Sequence, residues 1–275
     1  MSDSNIAFIG GGNMARSLIG GLVSAGTPSR TISVSEPQPE LRNNLQEDFG
    51  INVHSDNISA ATGARVIVLA VKPQVLQEVV VPLGRLVTEQ QPLLVSVAAG
   101  VTAPSIERWV GGQPALVRVM PNTPALVGAG ISTLYANENV DKDQRRLAET
   151  IMSAVGKTVW IEDERLMDTV TAVSGSGPAY FFYVMQAIND AAMNNGLDAA
   201  TARLLTLETA LGAARLALES TEDPGTLQKH VTSPGGTTEA AINILDSSEV
   251  SDAFQNAVSA ARARGGELAK LLDED

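Results

Sequence analysis

The chain has 275 residues, 19 Lys+Arg against 31 Asp+Glu, 44% hydrophobic and 4% aromatic residues, and no cysteine. A net charge of −12 excludes the basic face that nucleic-acid-binding proteins present to phosphates, and the lack of Cys excludes disulfides, thiolate catalysis and Cys-ligated metal centres. The only His residues, His54 and His230, lie far apart, and no stretch of 18 apolar residues offers a membrane span, so neither a metal nor a membrane partner is expected.

Met1–Asn5 carries an acid and no base, unlike the start of a signal peptide. A soluble, cytoplasmic protein is the expectation. Short β-branched or apolar runs follow at Asn5–Ile9, Thr31–Ser35, Arg65–Val71, Leu93–Val97, Ala115–Met120 and Thr158–Ile161. Few of their residues are charged, as strands buried on both faces require. Between them Met14–Ala25, Glu40–Phe49 and Pro73–Val87 read as helices. Strand–helix alternation with short connections predicts a parallel, doubly wound sheet.

The first strand runs into Gly10-Gly11-Gly12-Asn13-Met14-Ala15, which fills a G-x-G-x-x-G/A pattern. Gly10 permits the tight turn, Gly12 lets backbone approach a pyrophosphate, and Ala15 brings the helix close to the strand. Free N–H groups and the positive helix end then face the phosphates. The pattern alone is weak; opening an alternating βα unit, it predicts a Rossmann-type dinucleotide site. The second strand ends at Ser35-Glu36, where a ribose-reading residue belongs. Glu36 can bond both ribose hydroxyls, favouring NADH, whereas Ser35 and Asn57 can accept a 2′-phosphate; a Glu36 turned to solvent leaves NADPH free to bind. NADPH or NADH is therefore the expected cofactor. The stretches Ala70-Val71-Lys72-Pro73 and Met120-Pro121-Asn122 follow later strands and are expected to line the nicotinamide end at the sheet's carboxyl edge.

Near residue 165 the pattern changes. Ten of the thirteen prolines precede it, and the three later ones, Pro178, Pro224 and Pro234, all fall where a helix is expected to begin. Residues 166–275 contain Ala/Leu-rich helical segments at Pro178–Asn195, Ala199–Ser220, Thr238–Leu245 and Ser251–Leu272, with no convincing strand. The expected organisation is α/β: an N-terminal Rossmann-type doubly wound sheet over 1–165, then an all-α domain over 166–275. Pro178–Met193 is apolar nearly all round, so it needs cover on most sides; a subunit interface is expected there. Ser233-Pro234-Gly235-Gly236-Thr237-Thr238 precedes a helix. Ser233 is expected to cap it, and the glycines leave N–H groups exposed beside two hydroxyls, which suits either an anion site or a plain cap. The basic groups near it are Lys229 and His230.

Taken together, FIGGGNMA, LAVKPQ at 69–74, SVAAGV at 96–101, MPNTPA at 120–125, SGSGPAY at 174–180 and SPGGTT at 233–238 make the chain resemble the pyrroline-5-carboxylate reductases over essentially its full length. The resemblance implies reduction of (S)-1-pyrroline-5-carboxylate to L-proline by NAD(P)H, the last step of proline biosynthesis. It implies an all-α C-terminal domain that dimerises with its twin, as a homodimer or a higher assembly of dimers. It places the substrate carboxylate on Ser233, Gly236, Thr237 and Thr238, with Thr238 facing the ring nitrogen as the catalytic residue. It places the cofactor on Gly10, Gly11, Gly12, Asn13 and Met14, on Ser35, Glu36 and Asn57, and on Ala70, Val71, Lys72, Pro73 and Asn122. No metal is implied. A β-hydroxyacid dehydrogenase shares the first domain but carries a catalytic Lys in the second, and residues 166–228 contain no Lys. A dinucleotide sensor without turnover is disfavoured by the intact SPGGTT.

Overall fold

The structure, a computed structural model, describes residues 5–273; most of the Met1–Asn5 stretch lies outside it. It divides into two compact units. One runs to Ser176 and takes back the chain from Ala261 onward; the other is Gly177–Ala260. Packing thus divides the chain at Ser176 and Ala261, not at the expected 165/166 step. The short segment after residue 165 belongs to the sheet unit, and so does the last helix from Ala261 onward.

The first unit is built on an eight-stranded sheet: β1 (Ile6–Ile9), β2 (Ile32–Ser35), β3 (Asn52–His54), β4 (Val66–Leu69), β5 (Leu93–Ser96), β6 (Leu116–Met120), β7 (Gly130–Ala136) and β8 (Gly156–Trp160). The strand order is β3-β2-β1-β4-β5-β6-β7-β8. All pairings are parallel except β6–β7. In register, Ile9 lies beside Ser35 and Leu69, and Leu69 beside Ser96. The ends of β1, β2, β4 and β5 therefore share one carboxyl edge, and the strand order reverses between β1 and β4, the crevice where ligands bind in such sheets.

Alternation along β1 builds both cores. Ile6 and Phe8 face a cluster with Val34, Val68, Val95 and Val117. It is closed by Leu18, Ile19 and Leu22 of α1 (Asn13–Ser24) and by Ile151 and Met152 far along the chain. Ala7 and Ile9 face the opposite cluster with Ile67, Leu69, Leu94, Leu76 and Ile106.

The helices of this unit are α1, α2 (Pro39–Phe49), α3 (Asn57–Ala61), α4 (Leu76–Val80), α5 (Gly84–Gln90), α6 (Ala103–Val110), α7 (Lys142–Ser153) and α8 (Met167–Val170). Two strands were not read from the sequence. Asn52–His54 has three residues, too few for a period. Gly130–Ala136, written GISTLYA, mixes Gly and hydroxyl residues into its buried face, so it lacks a Val/Ile run. The expected helix Pro73–Val87 is broken into a 3-10 turn at Pro73–Val75, α4, a 3-10 turn at Val81–Leu83, and α5. Pro82 explains the break: it has no N–H and its ring crowds the preceding turn. Thr171–Gly175 forms one turn of π-helix, a local widening that helical periodicity does not signal.

The second unit is helical: α9 (Gly177–Asn194), α10 (Ala199–Glu219), α11 (Pro224–His230), α12 (Thr237–Ser247) and the first part of α13 (Val250–Asp273). Asp198 and Asp223 cap α10 and α11 by accepting main-chain N–H bonds. Pro178 and Pro224 lie in first turns as expected. Pro234 does not: α12 starts at Thr237, and Pro234 belongs to the turn before it. Large apolar side chains stand open on α9 and α10, with Phe181 68%, Tyr183 76% and Leu218 85% exposed. An apolar trough of about 720 Å³ runs along these helices, lined by Phe181, Met185, Ile188, Leu205 and Leu211 among others. No described helix is long and apolar enough to cross a membrane.

Candidate active site

Gly10 leaves β1 with φ +98, a conformation that disfavours side chains. A Cβ there would lie 2.7 Å from the carbonyl oxygen of Ala70, so the glycine turn and the end of β4 are pressed together. Gly12 differs: a Cβ there would meet nothing within 4 Å. Gly12 N-caps α1 with no side-chain hydrogen bond, and α1 has no acidic residue in its first turn. Its leading N–H groups lack intrahelical partners and form the positive end of a twelve-residue helix. Open space above a bare helix start fits a pyrophosphate.

Glu36 is 7% exposed and does not point to solvent. Its Oε2 accepts from the Gly11 N–H at 3.0 Å and its Oε1 from the Gln38 N–H at 3.0 Å. One carboxylate thus ties the glycine turn to the start of α2. The Ser35 hydroxyl donates to Asn57 Oδ1 at 2.7 Å. Asn122 leads the 3-10 turn after β6, and its Oδ1 accepts from the Ile131 N–H at 3.0 Å. Lys72 is exposed and Val71 half-buried at the end of β4. The structure therefore brings Gly10–Met14, Ser35, Glu36, Asn57 and Ala70–Pro73 to one crevice, and puts Asn122 after β6 on the same edge. Arg42 stands at this edge as well, where its Nη1 donates to the Glu36 carbonyl at 2.7 Å. The sequence reading missed it; the signal was a lone base in the first turn of the helix after β2.

The second candidate region is the turn into α12. Gly235 has φ +72. A Cβ on Gly236 would lie 2.9 Å from the Ser233 carbonyl oxygen, which itself accepts from the Gly236 N–H at 3.0 Å. The expected Ser233 cap is not formed: Gly236 is the N-cap, with no side-chain bond. The tight turn bonds the Ser233 carbonyl to the Gly236 N–H, and the Ser233 hydroxyl makes no cap bond to the helix start. Glu239, also missed, folds back so that its Oε2 accepts from the Gly235 N–H at 2.8 Å. That leaves the N–H groups of Thr237, Thr238 and Glu239 and the hydroxyls of the two Thr as the donors at the helix start. Of the two basic residues nearby, His230 pairs through Nδ1 with Glu222 at 3.3 Å. Among the described residues no group of three or more His, Cys, Asp or Glu is arranged to hold a metal ion.

Comparison with known proteins decides the family. Residues 164–268 match the model described as pyrroline-5-carboxylate reductase dimerisation, and residues 5–100 the model described as NADP oxidoreductase, coenzyme F420-dependent. A pyrroline-5-carboxylate reductase of Pseudomonas aeruginosa is 48% identical over 274 residues, covering 100% of both chains. The chain belongs to the pyrroline-5-carboxylate reductase family. A solved reductase from Coxiella burnetii is 46% identical, with TM-score 0.93 over 96% of this chain and 98% of that one. The Plasmodium falciparum enzyme, solved with NADP bound, is 29% identical, with TM-score 0.87 over 98% and 99%. The reaction is hydride transfer from NAD(P)H to (S)-1-pyrroline-5-carboxylate, giving L-proline. The dimerisation match marks the helical half as the part through which copies of the chain associate.

Proposed function

We propose that the reductase holds NAD(P)H on the start of α1 and the carboxylate of its substrate on the start of α12, with Thr238 working at the imine nitrogen. The observation that carries this reading is a matched pair: two helix starts, after Gly12 and after Gly236, each opened by glycine and neither capped by a side chain. Both offer N–H donors to an anion, and the chain has two anionic reactants to hold.

In this reading Gly10, Gly11, Gly12, Asn13 and Met14 cradle the pyrophosphate. Ser35, Glu36 and Asn57 sit at the adenosine ribose, and Ala70, Val71, Lys72, Pro73 and Asn122 line the nicotinamide end. NAD(P)H supplies the hydride to the C=N carbon. Ser233 and Gly236 shape the turn through the bond between them, and Thr237 and Thr238 grip the carboxylate, using dipoles rather than a full charge. A cyclic imine takes a proton from water, so a strong protein acid is not required, and Thr238 orients the resulting iminium. Its hydroxyl can accept from the N–H of the iminium and stay bonded to the amine product.

The functional form in this proposal is a homodimer formed through α9 and α10, whose uncovered apolar faces support it. A cytoplasmic location, expected from the sequence, belongs to the same proposal. The test is cofactor oxidation followed with and without pyrroline-5-carboxylate, for the wild type and for Thr238→Val. Imine-dependent oxidation that Thr238→Val leaves at the wild-type rate would remove Thr238 from the mechanism.

A further inference from the structure

Arg42 lies in the first turn of α2, half-buried at the carboxyl edge beyond β2. Its Nη1 donates to two main-chain carbonyls, Glu36 at 2.7 Å and Pro37 at 3.3 Å. These are neutral partners. Eight other arginines, at 16, 85, 108, 118, 145, 146, 165 and 264, pair with carboxylates, whereas Arg42 enters no ion pair among the described residues. A guanidinium carries five N–H donors, so two carbonyl bonds made by Nη1 leave most of the fork for another acceptor.

The nearby acid does not neutralise it. Glu36 lends Arg42 its carbonyl, while its carboxylate accepts from the Gly11 and Gln38 N–H groups. The preceding residue, Ser35, bonds the Asn57 carbonyl oxygen, which leaves the Asn57 amide N–H pair for a further acceptor. Two residues of the β2 corner, Arg42 and Asn57, thus offer donors, one of them a full positive charge. A ribose bearing two hydroxyls has no use for such a charge; a ribose phosphate does.

We infer that Arg42 binds the 2′-phosphate of NADPH, with Asn57 beside it, and so sets a preference for NADPH over NADH. This rests on the reading of Gly10–Met14 as the dinucleotide turn. It also reverses the expectation that Glu36 holds NADPH back, because that carboxylate is spent on the loop.

Calorimetric titration with 2′,5′-ADP and with 5′-ADP tests the assignment without turnover. Wild type is expected to bind 2′,5′-ADP at least about tenfold more tightly, roughly 1.4 kcal/mol. Arg42→Gln, whose amide can still bond the two carbonyls, should erase most of that gap, and Arg42→Lys should restore part of it. The NADPH/NADH ratio of kcat/KM should fall in parallel. Equal binding of the two ligands by wild type, or an Arg42→Gln that weakens both by the same factor, would overturn the inference and leave Arg42 as a fastener of the loop. Failure of both ligands to bind would instead overturn the dinucleotide reading of the glycine turn.

Discussion

The sheet unit and the helical unit use the same aliphatic alphabet to opposite ends. In the first, strands β1, β4 and β5 are buried along their whole length, and two clusters close over both faces of the sheet. In the second, α10 buries Ala202 and Thr206 while Leu204, Leu216 and Leu218 stand open. Small domains have too little interior to cover all-round apolar helices. The first unit completes its own core; the second needs another surface, and the match to a dimerisation model over 164–268 says what kind.

That contrast is open to breaking. The largest effect is expected from Phe181→Asp with Leu211→Asp, both on the apolar trough. Loss of a buried anchor costs about 2–4 kcal/mol, and in the proposed homodimer twofold symmetry applies it twice. Sedimentation should show a monomer whose helical signal and activity are reduced; a dimer at wild-type affinity would place the interface elsewhere. Ile67→Ala, in the centre of β4, should lower stability by about 2–5 kcal/mol, with a Tm loss that does not depend on protein concentration. A concentration-dependent loss there would erase the distinction between the units.

Thr238→Val sharpens the comparison chemically. Loss of one hydroxyl bond in the transition state, about 2–3 kcal/mol, should lower kcat roughly 30- to 150-fold. NADPH affinity should stay near wild type, because the glycine turn belongs to the other unit. Thr237→Val should do less if Thr237 contributes chiefly its N–H. Glu36→Ala removes an acceptor shared by Gly11 and Gln38, and bonds to a charged group are worth about 1.5–3 kcal/mol. Both NADH and NADPH should bind more weakly and the sheet unit should melt earlier; an effect on one cofactor alone would return Glu36 to the role of ribose discriminator.

The smallest effect concerns acid. Bonds from Thr226, first its hydroxyl and then its N–H, hold the Asp223 carboxyl below its ordinary value of 3.8. A depressed pKa stabilises the cap above that ordinary value, and the contribution is lost as pH falls through the depressed one. Asp198 on α10 behaves alike, held down chiefly by Thr201. Helical signal should therefore fade at the acid end of a titration, below about 3.8. Asp223→Asn, a cap that does not titrate, should remove part of that dependence; an unchanged acid limb would take this cap out of the transition.

Much of the sheet unit was legible because burial on both faces forces Val/Ile runs and because glycine marks backbone that a side chain would block. Hence β1, β2, β4, β5 and β6 were found at their places, each within a residue or two at either end. What the residues alone determined was the class of the fold, the glycine turn, the helical second half and its surplus of apolar surface. These are one-dimensional quantities: period, composition and the bulk of one side chain. Where a side chain spends its bonds was settled by tertiary structure. Glu36 and Arg42 are six positions apart, and nothing local says that the carboxylate turns to Gly11 while the guanidinium turns to a carbonyl. Likewise GISTLYA becomes β7 only because β6 and β8 lie on either side to pair with it, and Ser233 gives up its cap because Gly236 folds onto its carbonyl. Such choices depend on neighbours brought close by folding, and their energies are set by burial and geometry that a sequence window does not contain.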